Sequence, residues 1–168
     1  RYPASITQVM TLYLTFEALA AGKIHADDPV LFSPHAAAQA PSKLGVRSGD
    51  SITVLQAIEA MTTLSANDAA VAMAEKLGGT ESRFAALMTL RAQELGMQNT
   101  HFANPNGLPD SRNISTARDS AIMSRAVMRD YPQYYHFFSL EGFDFRGRQI
   151  NSHNHLLGPG VDGLKTGF

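Results

Sequence analysis

Residues 5–21, SITQVMTLYLTFEALAA, are apolar on nearly every side of a helical wheel, broken mainly by Thr7, Gln8, Thr11, Thr15 and Glu17. A helix with so little polar surface belongs at the centre of its domain, and Gly22 supplies a natural C-terminal stop. Residues 25–50 have no such period. Pro29, Pro34, Pro41, Gly45 and Gly49 punctuate them, and they read as loop. Helical spacing resumes from about Thr53 to Leu64, and again after Ser65-Ala66-Asn67 as far as KLGG. In the next segment Thr80 is the expected N-cap, Phe84, Leu87, Met88 and Leu95 the apolar face, and Gly96 the stop. The stretch STARDSAIMSRAVMRDYP predicts another helix, with Thr116 and Asp119 spaced as a capping box and Pro132 closing it.

Period-two patterning is confined to the last third. GFDFRGRQI alternates Phe143 and Phe145 with polar residues around a turn at Gly147, and VDGLKTGF reads as a turn into a short strand. NPNGLPD reads by default as turn chemistry, with a cleft-lining role for Asn104–Gly107 as the other reading. About five helices and two or three strands make an α+β chain dominated by helix. Met61, Met73, Met88, Met97, Met123 and Met128 fall on apolar faces and are expected to fill the core.

Composition narrows the function classes. With 168 residues, 44% of them hydrophobic and 17% charged, the chain suits one globular domain. A net charge of -1 gives no basis for a nucleic-acid partner. The zero cysteine count leaves no disulfides and no thiolate metal ligands. LYLTFEALAA is too short to span a bilayer and carries Glu17. The chain starts at Arg1 and stops on a strand-like KTGF, which reads as a piece of a longer protein with any export signal upstream. Six histidines, among them His153-Asn154-His155 with His136 nearby, raise a metal reading, but an H-x-H pair without a third ligand at defined spacing does not support one.

Three short motifs carry candidate chemistry: Ser5-Ile6-Thr7-Gln8 at a helix start, Ser65-Ala66-Asn67 at a helix-to-helix turn, and Lys165-Thr166-Gly167 on a strand. Singly, Ser5 is an N-cap, Ser65 and Asn67 a helix-turn cap, and Lys165 a solvated strand residue. Their order and setting resemble the acyl-serine penicillin-interactive enzymes. The phrases SANDAAVAMAE, LGMQNTHFANPNGLPD and NHLLGPGVDGLKTGF extend the resemblance from Pro3 to Phe168 and single out the serine-type D-alanyl-D-alanine carboxypeptidases, the low-molecular-mass penicillin-binding proteins of the bacterial envelope.

That resemblance implies the β-lactamase/penicillin-binding-protein-like transpeptidase fold: a sheet backed by helices, a helical subdomain, and a site in the cleft between them. Residues 1–168 would be a partial catalytic domain lacking its N-terminal and C-terminal strands. The resemblance also assigns roles. Ser5 is the nucleophile, Ser65 relays a proton to the leaving amine, and Asn67 holds the substrate's peptide carbonyl. Lys165 and Thr166 grip the terminal carboxylate. The backbone N–H of Phe168, after Gly167, is the second oxyanion donor. Asn154 and Leu156–Leu157 lie in a connection leading to the last strand. The implied partners are peptidoglycan stem peptides ending in D-Ala-D-Ala and β-lactam antibiotics. No metal or organic cofactor is required, and the location is periplasmic or cell-surface.

One residue departs from the pattern. The family has a lysine at position 8 as proton acceptor, and this chain has Gln8, which reaches as far but has no basic lone pair. The expectation is therefore impaired acylation. A non-catalytic binder of D-Ala-D-Ala termini or β-lactams is the alternative from another class. A β-lactamase would need a positioned carboxylate to activate the deacylating water, and no motif clearly offers one.

Overall fold

The computed structural model describes residues 4–153, with the backbone alone at Ala4 and Ser5. Helix α1, Ala4–Ala20, runs through the middle of the molecule and packs against the four long helices that lie between residues 54 and 130. Val9, Met10, Leu12 and Phe16 are buried, and so are Thr7, Gln8, Thr11 and Thr15. Buried hydroxyls need partners. Thr15 Oγ1 donates to the Thr11 carbonyl at 2.8 Å, and Thr11 Oγ1 to the Pro105 carbonyl at 2.6 Å. Gly22, at φ +72°, ends α1: its N–H bonds to the Leu19 carbonyl and that of Lys23 to the Ala18 carbonyl, the paired bonds of a Schellman cap.

Residues 25–50 are not all loop. Strand β1, Pro29–Leu31, pairs antiparallel with β2, Ser51–Thr53, in the register Val30↔Ile52, and helix α2, Pro34–Ala37, lies between them. Two prolines mislead here. Pro29 begins a strand, and Pro34 occupies the first helical turn behind an N-cap Ser33 whose hydroxyl accepts from Ala36 N.

Helix α3, Val54–Leu64, starts from a complete capping box formed by Thr53 and Gln56. Helix α4, Asn67–Gly78, follows after a two-residue turn. Helix α5, Glu81–Glu94, is capped by the Thr80 hydroxyl as its sequence predicts, but Leu87 faces solvent rather than the core. Helix α6, Ala117–Asp130, is capped by Thr116. The expected box there is only half formed, because Asp119 turns its carboxylate to Asn99 N and Thr100 Oγ1 instead of returning to the cap. Met61, Met73, Met88, Met97 and Met123 are fully buried, whereas Met128 is on the outer face of α6.

Pro132 does close α6, and a 3-10 helix, Pro132–Ser139, follows it. Its aromatic rings cover α1, with Phe16 stacked on Tyr134 at 5.1 Å and on Phe137 at 6.2 Å. Nearby, Tyr13 donates to Asp130 at 2.7 Å; burial and this carboxylate push the Tyr13 hydroxyl pKa well above its usual value, while the Arg129 guanidinium holds Asp130 below its own.

Strands β3, Gly142–Phe145, and β4, Arg148–Asn151, form the expected hairpin. Both residues of its turn, Arg146 and Gly147, have positive φ, the twist that a two-residue hairpin requires. VDGLKTGF lies outside the described residues. Among those described, no helix is long and apolar enough to cross a membrane.

Candidate active site

The site forms where the N-terminal turn of α1 meets the α3–α4 turn and the 103–113 loop. Ser5 falls in the first turn of α1, and Gln8 stands one turn further on. Gln8 is 2% exposed. Its Nε2 lies 3.0 Å from the Ser65 carbonyl, 3.2 Å from Asn67 Oδ1 and 3.0 Å from the Asn106 carbonyl. Two of the three predicted motifs therefore meet at one nitrogen, across 57 and 59 residues of chain.

The chemistry of that meeting is unbalanced. A carboxamide nitrogen carries two hydrogens, and three acceptors surround it. Gln8 Oε1, also buried, has no hydrogen-bond partner among the described residues. An ammonium group at this point would offer three hydrogens to three acceptors. The surroundings thus suit a lysine head better than the glutamine present.

Ser65 caps α3 in the left-handed conformation, φ 55° and ψ 42°. A residue with a Cβ pays about 1–3 kcal/mol to sit in such a region, and such residues concentrate at functional sites. The turn aims the Ser65 carbonyl at Gln8 and lets α4 begin at Asn67. Asn67 is anchored on three sides: its N–H donates to the Ser42 carbonyl at 2.8 Å, its Nδ2 to the Ala40 carbonyl at 2.9 Å, and its Oδ1 accepts from Gln8.

The 103–113 loop is held by its own asparagines. Asn104 Oδ1 accepts from Gly107 N and Asn113 Oδ1 from Ala103 N, while Asn106 Nδ2 reaches across to Gln39 Oε1 at 3.0 Å. Turn composition gave only the possibility that this segment lines a cleft. Nothing in it signalled that the Asn106 carbonyl points to position 8, nor that Ala40 and Ser42, in a supposed loop, hold Asn67. The roles expected of the Ser5 hydroxyl and of Lys165, Thr166, Gly167 and Phe168 fall outside the described residues, as do Asn154, His155 and Leu156–Leu157. Among the described residues, no three His, Cys, Asp or Glu side chains are grouped to hold a metal ion.

A family model described as D-alanyl-D-alanine carboxypeptidase matches residues 1–168. The chain belongs to that family. It is 39% identical to the D-alanyl-D-alanine carboxypeptidase DacF of Bacillus subtilis, over 99% of this chain and 44% of that protein. As a member of the D-alanyl-D-alanine carboxypeptidase family, the chain thus spans less than half the length of the curated relatives it matches. Among solved structures, penicillin binding protein 5 from Haemophilus influenzae superposes with a TM-score of 0.93 at 36% identity, covering 99% of this chain and 50% of that one. A penicillin-binding protein from Listeria monocytogenes in its ampicillin-bound form gives 0.86 at 30% identity, over 98% of this chain and 68% of that one. The fold is that of the penicillin-binding proteins, as the sequence resemblance implies.

Proposed function

We propose that this chain is part of the catalytic domain of a serine-type D-Ala-D-Ala carboxypeptidase that works on peptidoglycan stem peptides, with its acylation slowed by Gln8. Ser5 Oγ attacks the carbonyl of the penultimate D-alanine, and the bond to the nitrogen of the terminal D-alanine breaks. The serine proton passes to that leaving amine with Ser65 as relay, and water then hydrolyses the ester. The N-terminal end of α1 favours the developing negative charge at Ser5. Asn67 Nδ2 spends one hydrogen on the Ala40 carbonyl, which leaves the second for a substrate carbonyl. Lys165 and Thr166 hold the terminal carboxylate, and the N–H groups of Ser5 and Phe168 hold the oxyanion. Such a substrate lies outside the cytoplasmic membrane, so the location is the cell envelope. The ampicillin-bound relative supports β-lactams as acylating ligands.

The observation that carries this reading is the convergence of Ser65, Asn67 and Asn106 on the residue one turn from Ser5. The same residue favours the second reading, a binder without turnover, because an amide cannot take a proton at neutral pH. A β-lactamase gains no support here: the carboxylate of Asp68, next to Asn67, is turned to the N–H groups of Leu44 and Gly45. Release of D-alanine from a peptide ending in D-Ala-D-Ala separates these readings. A folded Gln8→Lys variant should release it about 10²–10⁴-fold faster than the Gln8 chain. A folded variant that releases none would overturn the carboxypeptidase reading and favour the binder.

A further inference from the structure

We propose that Asp68 is a positioning residue. Through the 39–45 loop it fixes which end of the Asn67 carboxamide faces position 8. This rests on position 8 being the proton-acceptor position of the reaction just described.

Asp68 is 0% exposed, and no cation pairs with it among the described residues. A carboxylate buried without a counter-charge is costly unless hydrogen-bond donors surround it. Three backbone N–H groups do so. Oδ1 accepts from Leu44 N and Ala69 N, and Oδ2 from Gly45 N, each at 2.9 Å. The Ala69 bond is local to the start of α4. The other two join α4 to a segment more than twenty residues earlier in the chain, and they need both oxygens as acceptors. An asparagine could meet only one of them.

What the staple holds is the loop that orients Asn67. The Ala40 carbonyl takes the Asn67 Nδ2 hydrogen and the Ser42 carbonyl takes the Asn67 backbone N–H. A carboxamide has one donor end and one acceptor end. With Nδ2 committed to Ala40, Oδ1 must face Gln8 Nε2, and position 8 meets an acceptor rather than a competing donor. If the loop withdrew, the carboxamide could rotate and present its donor end to position 8, where it would disfavour an ammonium and set a donor against Gln8 Nε2, leaving that nitrogen the Ser65 and Asn106 carbonyls alone. Gln39, at the other end of the loop, is tied to Asn106 Nδ2, so the loop joins both groups that flank position 8.

The test is side-chain and backbone amide NMR on the unsubstituted chain and on Asp68→Ala and Asp68→Asn. The expected result for Asp68→Ala is loss of exchange protection at Leu44 and Gly45 by about tenfold or more, together with displaced side-chain amide signals of both Asn67 and Gln8. Asp68→Asn keeps the shape and one acceptor, so it should leave one of the two amides protected and shift the Asn67 signals part of the way. It decides the matter where Asp68→Ala does not fold. Exposed Leu44 and Gly45 amides with unmoved Asn67 and Gln8 signals would overturn the proposal, leaving Asp68 a loop anchor only. So would an Asp68→Asn variant indistinguishable from the unsubstituted chain. Neither readout depends on turnover. A Gln8→Lys variant that fails to release D-alanine therefore counts against the functional reading and not against this one.

Discussion

Gln8 Nε2 faces three oxygens with two hydrogens, while Gln8 Oε1 is buried with no donor among the described residues. Position 8 was legible in the sequence as the departure from a lysine pattern, but its polar surroundings were not, because two of the three acceptors are backbone carbonyls and any residue type supplies those. Ser65 shows the complementary case. Its place in a motif was legible, and its left-handed backbone was not, since serine has no special preference for that region. Ser65→Gly should leave thermal stability unchanged or raise it by up to about 1 kcal/mol, because glycine enters that region freely, while abolishing the proton relay. Paired melting and penicillin-labelling measurements check it; a variant that labels as fast as its parent contradicts the relay role. Glu59, half-buried on α3, has its pKa raised above the ordinary 4.5 by burial. A carboxyl with a raised folded pKa contributes stability that is complete below its ordinary value and lost as pH rises through the raised one. Glu59→Gln should therefore gain on the unsubstituted chain in melting temperature as pH climbs from 4.5 towards neutrality.

At the scale of elements, helices were legible wherever periodicity and capping agreed. Thr53 with Gln56, Thr80 with Arg83 N, and Gly22 at the end of α1 each place a boundary by a hydrogen bond between near neighbours, which sequence spacing captures. Strand β1 and helix α2 escaped for the opposite reason. Pro29–Leu31 is held by pairing with Ser51–Thr53, a partner twenty residues away, and three residues are too few to show a period. Leu87 and Met128 carry the same lesson: helical spacing marks a face but does not say whether another element covers it. Because its capping box is complete on both sides, Thr53→Ala should lower stability by about 1 kcal/mol, read from denaturant unfolding. No change would mean that the β2 pairing alone fixes the start of α3.

Across the whole molecule, α1 organises both core and site. One end carries the Ser5 turn and Gln8, and the buried middle anchors Thr11 to the 103–113 loop and Phe16 to the aromatic 3-10 helix. A central apolar helix was the plainest prediction from the hydrophobic pattern, and the family of the fold followed from the three ordered motifs. The 39–45 loop and the Asn106 carbonyl were beyond reach, because they come to the site by long-range backbone contacts that no local pattern encodes. The central claim is that position 8 governs activation of Ser5. It is tested most directly by mixing labelled penicillin with the Gln8 chain and with Gln8→Lys and weighing the Ser5 adduct over time. Slow, incomplete labelling of the Gln8 chain is expected, with acylation about 10²-fold faster or more in the lysine variant. Fast, stoichiometric acylation of Ser5 in the Gln8 chain would contradict the claim.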